Sequence, residues 1–549
     1  MLPQKLRFAL AILFGSLLAL SQVSIVQAES TVGRCIDILK EPMAGPATIE
    51  ALGVNLEYAA VLNSLTVPEL KNLLSKNPTF HLDICGNGFY AEAMMAPQKS
   101  PMPAPGLNMP GVTTTNTTLK LNGVTTNYGS VFRLHSNPGS KKTIYLDFNG
   151  EKIENTAWNK NFNGGRSWVA PGFSQDSDFA NFSNGELDII QSIWQRVAED
   201  YSPFDIDVTT EAPPVGNLER TNAADDVFGT RALISNDTVI FNSCKCSGLA
   251  YVGAFDEIGN LHDINQPAWI FTQGLGDNPK YIAEAVTHEV GHTLGLSHDG
   301  TNAVSYYPGI AGWAPIMGVG FYQPVTQWSK GDYIDATNME DDVAVIRSHG
   351  VNLRSDEDDN SEKSARIITE SNSHGGVITL LDDVDYFSFT PASSSDFTII
   401  ASTATLSPNL DISVSIYRLG EVSSKRSYNP PLDVSSTDIA DGLSAKFTQR
   451  LEAGITYIVT ISGTAPISNS NVYSSYGSLG TYRLGVIKGG NTSAVALSTQ
   501  PAADSSLPSK LVLPTQNNSK PAALELPTFS QLSLHSKLRY FLSRSIILD

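Results

Sequence analysis

The segment His288-Glu289-Val290-Gly291-His292-Thr293-Leu294-Gly295-Leu296-Ser297-His298 carries three of the chain's nine histidines and one carboxylate. His288 and His292 stand four residues apart. On a helix that spacing separates two side chains by one turn and roughly 40° around the axis. Two imidazoles so placed can share one zinc ion. Glu289, between them in sequence, is badly placed to chelate alongside both but well placed to take a proton from a water at the metal. Gly295 has no Cβ, which lets the helix stop and the chain reverse. That reversal returns His298 as a third nitrogen ligand. Three neutral imidazoles leave one tetrahedral position open, which is the arrangement of a catalytic zinc site rather than a structural one.

Such a site needs a rigid helix and a sheet behind it. Asn278 followed by Pro279 reads as a helix start, a capping side chain and then proline in the first turn. The helix is expected to run to about Leu294, with Val286, Val290 and Leu294 as a buried stripe opposite the histidines. Upstream, Thr143 to Phe148 reads as a strand. Leu187, Ile190, Trp194 and Val197 recur at helical spacing, so Gly185 to Asp200 is an amphipathic helix. Phe204 to Thr210 alternates like a strand. Three short apolar runs follow, at Thr238 to Asn242, Leu249 to Val252 and Ala268 to Thr272. Residues 131–350 therefore read as an α/β domain.

The run from His288 to His298 resembles the zinc-binding sequence of metzincin metallopeptidases. Asp299, directly after the third histidine, is similar to the reprolysin-like branch. Ala314-Pro-Ile-Met317-Gly lies 19 residues beyond His298 and looks like the methionine turn of that family. The implied role of Met317 is a hydrophobic floor under the imidazoles, with Gly295 and Asp299 as structural supports. Tyr145-Leu-Asp-Phe-Asn-Gly, Ile193-Trp-Gln-Arg-Val-Ala-Glu-Asp, Gly248-Leu-Ala-Tyr-Val-Gly and Gln327-Trp-Ser-Lys-Gly-Asp are similar to secreted, mostly bacterial reprolysin-like enzymes. With the zinc motif they span about residues 143–347.

The resemblance implies a metzincin-type mixed sheet with a long zinc helix, and a Zn2+-dependent endopeptidase acting on protein or peptide substrates. His288, His292 and His298 would hold the metal and Glu289 would act as general base. Some metzincins carry a tyrosine two residues after the turn methionine, where this chain has Val319. No tyrosine ligand is assigned, and Tyr322 is a loose candidate. Substrates of metzincins lie extended along an edge strand, for which Ala268 to Thr272 is the candidate here.

Residues 354–488 change character. Short alternating runs at Val377–Leu381, Tyr386–Thr390, Phe397–Ala401, Ile412–Tyr417, Thr456–Ser462 and Thr481–Ile487 are separated by Ser, Asn, Asp and Gly turns, the pattern of an all-β sandwich. Asp383-Val-Asp385-Tyr-Phe-Ser-Phe, Asn409-Leu-Asp411-Ile and Tyr476-Gly-Ser-Leu-Gly-Thr-Tyr resemble the bacterial pre-peptidase C-terminal domain. Such domains accompany secreted proteases and are linked to substrate or surface binding. Asp383 and Asp385 are candidates for Ca2+, with an ordinary acidic turn as the alternative. Residues 489–549 are a low-complexity tail.

At the other end, Lys5 and Arg7 precede an apolar stretch from Phe8 to Leu20, and Val26-Gln27-Ala28 offers a small-residue cleavage site. Residues 1–28 thus read as a signal peptide, and the product as secreted, extracellular or periplasmic, with no transmembrane segment once mature. Residues 29–95 read as a propeptide and 96–130 as an exposed linker, the layout of a zymogen. The four cysteines suit an exported chain with disulfides, Cys35 with Cys85 and Cys244 with Cys246. Cys85 has a second reading, as a propeptide thiol that ligates the zinc. A net charge of -19 argues against nucleic acid as a partner. The competing functional reading is a secreted binding or adhesion protein with an inactive protease domain.

Overall fold

In a computed structural model of the chain, the described residues are 35–93, 126–310, 312–356, 361–370, 372–420, 427–428, 443–465 and 473–489. The segments read from sequence as a signal peptide, most of a linker and a tail beyond 489 lie outside them. Among the described residues no helix is long and apolar enough to cross a membrane.

The N-terminal region folds by local signals. Thr66 caps the helix Val67–Lys76 by a capping box with Glu69, and Pro68 sits in its first turn. Leu70 and Leu74 of that helix pack with Leu39, Leu52, Phe80 and Leu82 into a small core of their own. Three strands complete the region: β1 (Met43–Ala44), β2 (Phe80–Leu82) and β3 (Gly88–Ala93). They do not form a separate sheet.

The next strands are β4 (Lys142–Asp147), β5 (Gly150–Ile153), β6 (Trp168–Pro171), β7 (Asp207–Thr209), β8 (Phe228–Ser235), β9 (Cys246–Tyr251) and β10 (Ala268–Phe271). Together with the N-terminal strands, five of them make one eight-stranded sheet in the order β1-β2-β3-β9-β10-β8-β4-β7. The β10, β8, β4 and β7 neighbours are parallel, whereas β9 runs antiparallel to both β10 and β3. Two buried helices pack on this sheet. Asn184–Asp200 starts with a Ser183–Glu186 capping box, and Pro279–Thr293 starts with the Asn278 side chain accepting from the Lys280 amide at 2.9 Å. Every residue of the second helix from Ile282 to Thr293 is buried, so the expected single stripe is in fact a helix enclosed on all sides.

Two expectations need correction here. Ala268 to Thr272 is not an edge: β10 lies inside the sheet between β8 and β9, and all four of its residues are buried. The alternation at 204–210 yields only the three-residue β7.

The C-terminal part contains β11 (Trp313–Pro315) paired with β12 (Val325–Gln327), then two larger sheets. One holds β13 (Arg366–Ile367), β15 (Val384–Phe389), β17 (Ile412–Arg418), β18 (Ser427–Tyr428) and β20 (Tyr457–Gly463). The other holds β14 (Ser373–Ile378), β16 (Ser395–Thr403), β19 (Ala445–Leu451) and β21 (Gly480–Lys488). Phe387, Val414 and Val459 of the first share a core with Ile399, Phe447 and Leu484 of the second, a sandwich-like arrangement. That core continues through Leu410, Leu479 and Trp328 to Val197 and the histidine helix.

Candidate metal centre

His288 and His292 project from one face of the Pro279–Thr293 helix, with ring centroids 4.7 Å apart. The helix ends beyond Thr293, and Gly295 takes φ +91 while its amide still bonds back to the His292 carbonyl. A Cβ at Gly295 would stand 2.3 Å from His349 Nε2, so both the turn and the close approach require glycine. The chain then brings His298 to within 3.1 Å of His292, Nε2 to Nε2. Ser297 is anchored at this bend by the Glu340 carboxylate, which accepts from its amide and its hydroxyl, both at 3.0 Å.

The tautomers are set by what the other ring nitrogens touch. His288 Nδ1 lies 2.9 Å from the Ile316 carbonyl, and His292 Nδ1 lies 2.8 Å from the Leu296 carbonyl. A carbonyl can only accept, so each Nδ1 carries the proton and each Nε2 keeps its lone pair. Those lone pairs meet a fourth group that the sequence did not disclose. Glu92, on β3, places Oε1 at 2.7 Å from His298 Nε2, 3.6 Å from His292 Nε2 and 3.8 Å from His288 Nε2. Glu92, His288, His292 and His298 all offer ligand atoms within 4.8 Å of one another, and all are buried.

This donor set fits a zinc ion. Imidazole nitrogens and a carboxylate converge in a buried pocket, where His288 Nε2 and Glu92 Oε2 have no hydrogen-bond partner among the described residues. Three buried imidazoles and one carboxylate this close together form a zinc-type set that could hold a metal ion. Burial holds His292 down at about 3, which keeps it neutral and available as a ligand. Burial opposes the charge on Glu92, yet the imidazoles beside it, His298 foremost, outweigh it and keep the carboxyl well below its ordinary value.

Glu289 is wholly buried, and neither of its carboxylate oxygens has a hydrogen-bond partner among the described residues. Burial, and then the charge of Glu92, push it well above the usual carboxylate range. Its side chain lies against β9: a Cβ at Gly248 would fall 2.2 Å from Oε1. Met317 is fully buried against the histidine helix, its Sδ 2.6 Å from where a Cβ on Gly291 would stand. Its turn is closed by the Gly318 amide on the Pro315 carbonyl at 3.0 Å. Asp299 ties the two segments together, its amide donating to the Met317 carbonyl at 2.8 Å and its carboxylate accepting from Tyr333 at 3.2 Å. Burial raises that carboxyl to about 8.

Other expected residues fall elsewhere. Tyr322 packs on Tyr281 at 5.6 Å. Tyr306 does reach the centre, its ring 4.7 Å from His298 and 5.4 Å from His288. Cys85 is bonded to Cys35 and Cys244 to Cys246, so Cys85 is not the thiol ligand of its second reading. Asp383 and Asp385 are brought together with Asp356 in a group that could hold a metal ion, and Asp383 Oδ2 also accepts from the Thr379 amide and hydroxyl.

Glu92 was hidden because it lies almost two hundred residues before the motif, and Tyr306 because nothing in its spacing marks it.

No family model and no curated protein matches the chain. Among solved structures, the pre-peptidase C-terminal domain of collagenase from Bacillus anthracis is similar, at 16% identity over 23% of this chain and 99% of that one, with a TM-score of 0.17. PliG of Salmonella Typhimurium, a periplasmic inhibitor of g-type lysozyme, is similar at 15% identity over 22% of this chain and 96% of that one, with a TM-score of 0.14.

Proposed function

We propose that the chain is an exported, zinc-dependent endopeptidase. The observation that carries this reading is the convergence of His288, His292 and His298 in a buried pocket, with an unpartnered Glu289 on the same helix. Bound zinc would polarise a peptide carbonyl and acidify a water. Glu289 would take that water's proton and hand it to the leaving amine. Its burial and its lack of hydrogen-bond donors make it a stronger base than an exposed carboxylate. Met317, Asp299 and the Ile316 and Leu296 carbonyls hold the imidazoles in orientation. Strand β9 would pair with an extended peptide, since it becomes the sheet edge wherever β3 is displaced.

The test is gelatin zymography and metal analysis of the proteolytically activated chain and its Glu289→Gln variant. The expected result is about one zinc per chain in both, with chelator-sensitive activity in the wild type alone. Peptide hydrolysis retained by Glu289→Gln would refute the mechanism. No activity from the activated wild type would favour the binding-protein reading.

A further inference from the structure

We propose that residues 35–93 form a built-in inhibitor in which the Glu92 carboxylate takes the fourth position at the metal while β3 occupies the substrate's place along β9. The proposal rests on the metallopeptidase reading and adds to it how the site is kept silent. Glu92 is 2% exposed, and among the described residues its ion-pair partners are the three histidines. A carboxylate buried this deeply is stable only with a cation beside it, and the centre supplies one when metal is bound. The backbone is shaped for this contact. The register of β3 on β9 runs Phe89 to Tyr251, Tyr90 to Ala250 and Ala91 to Leu249, then slips so that Ala93 faces Cys246. Glu92 sits at that bulge, a device that re-aims one side chain out of the regular alternation.

The neighbours of Glu92 extend the blockade. Tyr90 lies flat on His292, with centroids 4.2 Å apart and planes at 15°. Thr79 and Asn77 approach His298 Nδ1 at 3.2 and 3.4 Å. A substrate strand cannot use the β9 edge while β3 holds it, because each backbone group pairs once across that edge. The inhibitor is also fastened independently of its C-terminal connection. Asp83 Oδ1 accepts from the Cys85 and Asn87 amides at 2.8 Å, and Asp83 Oδ2 accepts from Tyr251 of β9 at 3.0 Å. Phe89 is buried with Trp158 and Tyr251, and the Cys35–Cys85 disulfide closes the region. Cutting the chain after residue 93 therefore leaves the inhibitor seated, and activation requires its removal or digestion.

The experiment loads the full-length chain with cobalt(II) and titrates it with acetohydroxamate, following the visible absorption of the metal. Support is a wild-type spectrum that ignores the probe, together with a shifted spectrum in Glu92→Gln and at least about tenfold tighter hydroxamate binding. Identical spectra and identical hydroxamate binding in the two chains would overturn the proposal. If Glu92→Gln does not fold, the wild type decides alone. A response to hydroxamate in the uncut chain, or continued silence after digestion of residues 35–93, overturns the proposal; silence that turns to response on digestion supports it. Cobalt uptake that is unaffected by His288→Asn and His292→Asn would instead sink the metallopeptidase reading itself.

Discussion

Glu289 and Gly248 show how narrowly one residue's chemistry depends on another's missing atoms. The carboxylate fills the space where any Cβ on residue 248 would fall, 2.2 Å from its Oε1. Gly248→Ala is thus expected to push Glu289 off its position while leaving the three imidazoles in place. A displacement near 1 Å at a catalytic group costs on the order of a hundredfold in rate. The measurement is kcat alongside zinc content, and an unchanged kcat would show that Glu289 does not work from this position. At this scale the sequence was legible wherever chemistry follows from spacing: the two helical histidines, the glycine that turns the chain and His298 all meet. Glu92 was illegible because its place depends on a strand pairing and a bulge, neither of which leaves a local pattern. Tyr306 reaches the centre through a loop, which has no periodicity to read.

Elements were legible in proportion to the strength of their end signals. The helix Pro279–Thr293 begins at Asn278, whose Oδ1 accepts from the Lys280 and Tyr281 amides at 2.9 and 3.5 Å. Asn278→Ala should remove about 1 kcal/mol of capping, which raises local opening of the first turn about fivefold. Hydrogen exchange is the appropriate measurement, because the histidine end lies turns away and should keep its protection. Uniform acceleration along the whole helix would mean that the cap governs global stability instead. Strands were less legible. Ala268–Phe271 was read as an edge, although apolar residues on both faces mark a strand in the interior of a sheet covered on both sides. β8 passed unnoticed because Gly229 and Arg231 interrupt its apolar run. The Arg231 guanidinium pairs with Asp147 at 3.3 Å and with Glu151, a compensation visible only in three dimensions.

At the scale of the whole molecule, the β-rich C-terminal part is joined to the histidine helix through buried acids. Asp200 accepts from Thr287 of that helix at 2.7 Å and from Asn409 at 2.8 Å, while the neighbouring Glu199 accepts from the Thr481 amide at 2.9 Å. Burial raises Glu199 to about 7 and Asp200 to about 8. Both carboxyls therefore keep a proton in the folded state that the unfolded chain has already released, which sets the sign. The stability they contribute is complete below their ordinary values near 4 and is lost as pH rises through about 8. His135, raised to about 9 by Asp207, tilts the curve the same way, its contribution complete below 6.5 and lost through 9. Only a variant separates the two sources. Asp200→Asn keeps an acceptor for Asn409 and offers a donor to Thr287, so its interface should persist without a proton to lose. Thermal unfolding is followed between pH 6.5 and 8.5, the span in which Glu199 and Asp200 lose their protons. The wild-type midpoint is expected to fall across the range and that of Asp200→Asn to fall less. Equal slopes in the two chains would show that Asp200 is already ionised in the fold, and that the joint between the two halves is held by its charge rather than by its proton.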